Sequence, residues 1–150
     1  MFLAAAVLLP ALWMAGGEPP ARDTATESKA DSVRVAVLRY HLEAQEAARS
    51  AAGLRDRLTF YLTVKGGDPS ESLLNRFRNG RSRLRPASAW KPNGARRGLD
   101  FSALAWETPE RVKVWFATEN GLEGTSQKIV VELKNGAWTV VGIEGGVISS

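Results

Sequence analysis

From residue 33 onward, apolar positions recur at three- and four-residue steps: Val33, Ala36, Val37, Tyr40, Ala44, Ala47, Ala48 and Ala51. That spacing predicts one face of a helix over about 32–51. Val35, Leu38 and Leu42 widen the stripe, and Arg34, Arg39, Glu43, Glu46 and Arg49 are left facing water. The alanines at the C-terminal end suit close approach to a sheet. Asp31 or Ser32 supplies the cap and Gly53 the stop. The pattern then changes to a β-branched and aromatic run at 58–64, closed by Gly66 and Gly67, which predicts a strand. Asp68, Pro69 and Glu71 mark the start of a helix of about three turns, with Asp68 as cap and Glu71 completing a capping box. Leu73, Leu74 and Phe77 form its apolar face, and Asn79-Gly80 ends it.

Residues 81–98 show no regular period. Alternation returns at 99–106, where Leu99, Phe101, Ala103 and Ala105 share one face and Asp100, Ser102, Leu104 and Trp106 the other. After a turn at Thr108-Pro109-Glu110, Val112, Val114 and Phe116 alternate with Arg111, Lys113 and Trp115. Ile129, Val131 and Leu133 continue in the same way up to Asn135-Gly136, the favoured two-residue hairpin turn. That turn predicts the pairs Leu133 with Trp138, Val131 with Val140 and Ile129 with Gly142, all on one face. The elements add up to an α+β domain. An N-terminal helix and a short second helix pack on a curved antiparallel sheet of about four to five strands.

The first 30 residues have a different character. Residues 2–15 are apolar throughout, too short for an uninterrupted membrane span and matching the hydrophobic core of a signal peptide. Ala15, Gly16 and Gly17 put small residues at the cleavage positions, so residues 1–17 read as a leader cut before Glu18, rather than as a buried N-terminal helix. Residues 18–30 hold two prolines and no large apolar side chain, so a flexible linker is expected ahead of a single domain at 31–150. After removal of the leader no membrane span remains, and the expected location is the periplasm or the medium. The absence of cysteine in all 150 residues excludes a disulfide framework, thiolate metal sites, a cysteine nucleophile and a lipid-modified cysteine anchor.

The order of elements and the hairpin Asn135-Gly136-Ala137-Trp138-Thr139-Val140-Val141 resemble the NTF2-like and cystatin-like class of α+β domains. The middle of the chain is similar to uncharacterised secreted bacterial proteins. The shared residues are Phe60-Tyr61-Leu62-Thr63-Val64, Asp68-Pro69-Ser70, Leu73-Leu74, Phe77 and Pro86-x-Ser88. The likeness covers about residues 33–143 and consists of caps, turns and core positions, so it implies a fold and hardly an activity. Enzymes of the NTF2-like class carry an acid–base residue, typically Asp or His, inside the sheet's cone.

Charge adds the one strong asymmetry. Residues 72–99 contain Arg76, Arg78, Arg81, Arg83, Arg85, Lys91, Arg96 and Arg97 and no acid, in a chain of net charge +4. Guanidinium groups suit bidentate contacts with phosphate or carboxylate. Arg81, Arg83, Arg85, Trp90, Arg96 and Arg97 are therefore the candidate ligand-binding residues, with Trp90 available for stacking. The competing reading is a solvated basic loop, in which the alternating arginines line and protect an edge strand. An exported protein would meet an anionic envelope component or a protein partner rather than nucleic acid. His41, the only histidine, and Asp100 are the candidates for a general base if the domain is instead a small enzyme with a sheet-lined pocket. His41 also reads as an ordinary helix histidine at the edge of the apolar stripe. No metal-ligand spacing, phosphate-binding loop or nucleophile elbow occurs, so no metal or cofactor is expected.

Overall fold

The computed structural model describes residues 21–149 except 93 and 95, with the backbone alone described at 21–25 and 146–149. The leader and residues 18–20 lie outside the described residues. Helix α1 (Ala21–Ala51) is followed by β1 (Thr59–Val64), α2 (Glu71–Asn75), β2 (Arg83–Pro86), a 3₁₀ turn (Ala87–Ala89), β3 (Arg97–Thr108), β4 (Arg111–Asn120), β5 (Glu123–Lys134) and β6 (Ala137–Ser149). The strands form one open six-stranded sheet in the order β2-β1-β3-β4-β5-β6. The sheet is mixed rather than antiparallel, because β1 runs parallel to both β2 and β3. A connection containing a helix, such as 65–82, permits parallel neighbours, whereas the later two-residue turns permit only antiparallel ones.

The α1 helix lies on one face of this sheet, called the inner face below. Val33, Val37, Leu38 and Leu42 pack there with Phe60 and Leu62 of β1, Leu99 and Phe101 of β3, Val112, Val114 and Phe116 of β4, and Ile129 and Val131 of β5. Leu73 and Phe77 close the core from the β1–β2 connection. Helix α1 is turned relative to the stripe read from its sequence: Val35, Leu38 and Leu42 are buried, whereas Tyr40 is 49% exposed and Ala44, Ala47, Ala48 and Ala51 are on the surface. Burying valine and leucine removes more apolar area from water than burying alanine, and that difference sets the rotation.

The helix also starts eleven residues before the predicted 32, so residues 21–30 are helical rather than a linker. Tertiary contacts supply what local composition lacks. Ala30 is buried, and the Lys29 ammonium lies 4.4 Å from the Trp106 ring centroid and donates to the Pro109 carbonyl at 2.7 Å. Arg34, expected in water, is 1% exposed; its Nη1 donates to Glu27 at 2.6 Å and to Asp31 at 2.8 Å. Asp31 accepts in turn from the Ser70 hydroxyl. Burial works against the charge on Glu27, but the bonds and charges of Arg34 and Lys65 outweigh it and hold the carboxyl below its usual range.

Three further local expectations change. The second helix is a single turn capped by Ser70, whose Oγ accepts from Leu73 N. Asp68 instead accepts from the Ser88 hydroxyl and N–H, which hold its carboxyl low. In β3 a bulge between Phe101 and Ala103 reverses the alternation, so Leu104 and Trp106, not Ala103 and Ala105, join the core side. At the last hairpin Asn135 and Gly136 have φ of 51° and 78°, as the two-residue turn requires. Leu133↔Trp138 and Val131↔Val140 pair as expected, but a bulge at Val141 places Ile129 opposite Ile143 instead of Gly142.

Candidate functional site

The arginine-rich segment becomes the β2 edge of the sheet. Arg83 and Arg85 pair with Thr59 and Tyr61, and Leu84 pairs with Phe60. Since paired residues share a face, Leu84 points toward the core side and the two arginines point away from it. The β1–β2 connection brings Leu74 and Phe77 beneath Leu84, while Arg57 enters from the residues just before β1. Together these residues line an open hollow of about 250 Å³, bounded by Arg57, Arg78, Arg83 and Arg85, with Leu74, Phe77 and Leu84 as its apolar part and Asn75 at its side. None of the lining residues is acidic.

The four guanidinium groups are held differently. Arg57 donates to the Gly80 carbonyl at 3.0 Å, and Arg78 donates to Asn75 Oδ1 at 2.6 Å. These bonds fix two groups without neutralising them. Arg83 and Arg85 are exposed and make no ion pair among the described residues. Two positions apart on a strand, their Cα atoms are separated by about 7 Å. The arrangement presents uncompensated, directional donors beside a hollow, the geometry suited to phosphate or carboxylate oxygens.

The other predicted ligand residues are not gathered here. The Arg81 side chain donates to Ser50 Oγ at 2.9 Å and does not line the hollow. Arg97 opens β3 opposite Asn120. Arg96 and Trp90 stack on each other, with 5.3 Å from guanidinium carbon to ring centroid, and Arg96 Nε lies 3.8 Å from Glu119 Oε2. Gly98 makes room for that pair, since a side chain there would come within 3.1 Å of Glu119 Oε2. Sequence reading missed Arg57. Its signal, a basic residue leading into β1, acquires meaning only once β1 and β2 are known to be parallel neighbours.

His41 and Asp100 lie on opposite faces of the sheet. The His41 ring packs edge-on against Phe60 and Phe116 on the inner face, with centroids 6.5 and 5.4 Å away. Asp100 sits between Leu99 and Phe101, which point inward, so its carboxyl projects from the outer face, where it pairs with Thr63 and Ala117. The strands between them prevent the two from acting on one substrate. Neither lines any of the hollows described in this structure. Burial pushes the Asp100 carboxyl up and the His41 imidazole down from their ordinary values. Among the described residues Glu43 and Glu46 form no ion pair with Arg39 or Arg49: Glu46 accepts from Ser82 and Arg49 pairs with Asp56. Among the described residues no group of His, Cys, Asp and Glu is arranged to hold a metal ion, and no helix is long and apolar enough to cross a membrane.

The His41 environment has a measurable consequence. As pH falls, the unfolded chain takes up the imidazole proton first, at about 6.5, because the folded value lies lower. The stability gained by burying the neutral ring is complete above about pH 6.5 and declines as pH drops below it. Urea midpoints measured between about pH 7 and 5 should therefore fall for the native chain and fall less for His41→Leu. Parallel curves for the two would show that the ring is not held neutral by burial.

No protein-family model, curated protein or solved structure matches this chain.

Proposed function

We propose that the chain is a non-enzymatic binding module that docks an anionic partner in the arginine hollow at the β2 edge. The observation carrying this reading is the convergence of Arg57, Arg78, Arg83 and Arg85 on one hollow without an acidic lining residue. An uncompensated cluster repels itself, and an anion that bridges its members relieves the repulsion while exchanging counterions for specific bonds. The apolar part of the hollow gives the ligand a partly desolvated wall, against which charge-assisted bonds are stronger than in open water. The leader-like residues 2–15 support export to the periplasm or beyond, where partners would be phosphate- or carboxylate-bearing envelope glycans or lipid headgroups rather than nucleic acid. The helix-on-sheet layout is compatible with an NTF2-like or cystatin-like domain, used here as a scaffold for an edge site.

The test is binding of inorganic polyphosphate, a polyuronate and anionic lipid vesicles by the native chain and by Arg78→Gln/Arg83→Gln/Arg85→Gln. The native protein should bind at least one of them with affinity that drops steeply with salt. The triple variant should flatten the slope of log affinity against log salt by about 2–3. The three probes separate a phosphate polymer, a carboxylate polymer and a headgroup surface. Equal affinity and equal slope for both proteins would remove the hollow from consideration.

A further inference from the structure

The two edges of the sheet are built in opposite ways. The β2 edge is four residues long, carries two arginines and ends in Pro86. Arg83 N–H donates to the Leu58 carbonyl, so the backbones of Arg83 and Arg85 face β1 and Leu84 alone turns both its N–H and its C=O outward. Such an edge is blunted against strand pairing. The β6 edge is thirteen residues long, contains no proline and carries one charge, Glu144, which pairs with Lys113. Its two-residue turn makes Lys134 and Ala137 the hydrogen-bonded pair that closes the hairpin, so Trp138 and Val140 direct their backbone groups away from β5.

Beside that stretch lies the largest hollow described, about 580 Å³, between α1 and residues 136–140. Val35, Ala36, Trp138 and Val140 supply its apolar surface. Its charged lining residues are Arg39, Arg76 and Glu43. Among the described residues Arg39 makes no ion pair, Arg76 reaches only the Ser32 hydroxyl at 3.4 Å, and Glu43 pairs with neither arginine. The groove therefore combines an open strand edge, an apolar surface and a net positive rim.

We propose that residues Ala137–Val140 of β6 take up an extended, acidic segment of a partner protein by strand addition. The added strand bonds to the outward backbone groups of Trp138 and Val140. On its groove-facing side an apolar side chain enters over Val35 and Ala36, and carboxylates two positions away on the same face reach Arg39 and Arg76. A second copy of this chain fits less well, because its own β6 offers a single carboxylate already paired with Lys113.

The probe is a fluorescein-labelled heptapeptide with a central valine flanked two positions away on each side by glutamate and with threonine elsewhere, so that valine and both carboxylates share one face. It is compared with its counterpart carrying lysine for glutamate by anisotropy on the full chain. The glutamate peptide should bind at least tenfold more tightly, and Arg39→Glu/Arg76→Glu should reverse the preference. Amide hydrogen exchange should show the glutamate peptide protecting Trp138 and Val140. Val140→Pro, which deletes an outward N–H, should abolish binding while far-UV circular dichroism stays native. Equal binding of both peptides, binding unaffected by the charge reversal, protection confined to residues 83–86, or a dimer joined through β6 that excludes the peptide would each overturn the proposal.

Discussion

Replacing Asp31 with alanine is expected to destabilise the chain by about 3–5 kcal/mol, lowering Tm by on the order of 10 °C. Arg34 is 1% exposed, and Asp31 is the more deeply buried of its two carboxylate partners; the Glu27 side chain is half in water. Without Asp31 the guanidinium keeps its desolvation penalty and loses its buried counter-charge, and its Nε already has no hydrogen bond among the described residues. The pair is not expected to contribute that much as a pair. Replacing both members with apolar groups, as in Asp31→Ala/Arg34→Met, should recover most of the loss, because folding then strips water from neither ion of the pair. A double variant no more stable than Asp31→Ala would show that Arg34 is held by packing of its stem instead.

The second large effect is expected at Phe116. Its ring is 2% exposed, lies 4.9 Å from Phe101 and 5.4 Å from His41, and joins helix α1 to the middle of the sheet. Phe116→Ala should cost about 3–5 kcal/mol through lost burial and the cavity left behind. The cavity borders the imidazole, so water admitted there should let the His41 pKa rise back toward its ordinary value near 6.5. Urea unfolding gives the first quantity and an NMR titration of the ring protons gives the second. A stability loss with no movement of the His41 titration would mean that the imidazole is desolvated by the helix rather than by Phe116.

β1, β3, β4 and the β5–β6 hairpin were readable because alternation and turn chemistry are local, whereas β2 falls in residues 81–98, which show no regular period, and takes the sheet to six strands instead of four to five. Asn135-Gly136 demands positive φ at both positions, and that alone sets two correct cross-strand pairs. The errors arise where a tertiary contact outweighs a local preference. Residues 21–30 look like linker until Lys29 meets Trp106 and Glu27 meets Arg34 and Lys65. The alanine stripe of α1 has the right period, but the neighbouring valines and leucines have more area to bury. Bulges at Ser102 and Val141 shift the facing of everything beyond them, and no residue type announces a bulge as Asn-Gly announces a turn. Asp68 looks like a better cap than Ser70 until Ser88 of the next connection claims it.

The candidate site was legible in composition and not in geometry. A run of eight basic residues without an acid stands out in the sequence, and Arg83 and Arg85 do end on the edge strand that their alternation implies. Which other cations join them depends on the parallel pairing of β1 with β2, and this brings in Arg57 and leaves out Arg81, Arg96 and Arg97. Trp90, suggested as a stacking surface for a ligand, stacks on Arg96 of the same chain. His41 and Asp100 were plausible separately, but the sheet that separates them is invisible until strand facing is known.

The most direct measurement of the central claim is a titration of the native chain with inorganic polyphosphate, followed by NMR of the arginine side-chain Nε–Hε groups at low salt. The signals of Arg57, Arg78, Arg83 and Arg85 should shift first and together, with one saturation curve, before those of Arg55, Arg96 and Arg97. Shifts of equal size at every exposed arginine, or shifts that leave the β2 edge unmoved, would contradict the claim.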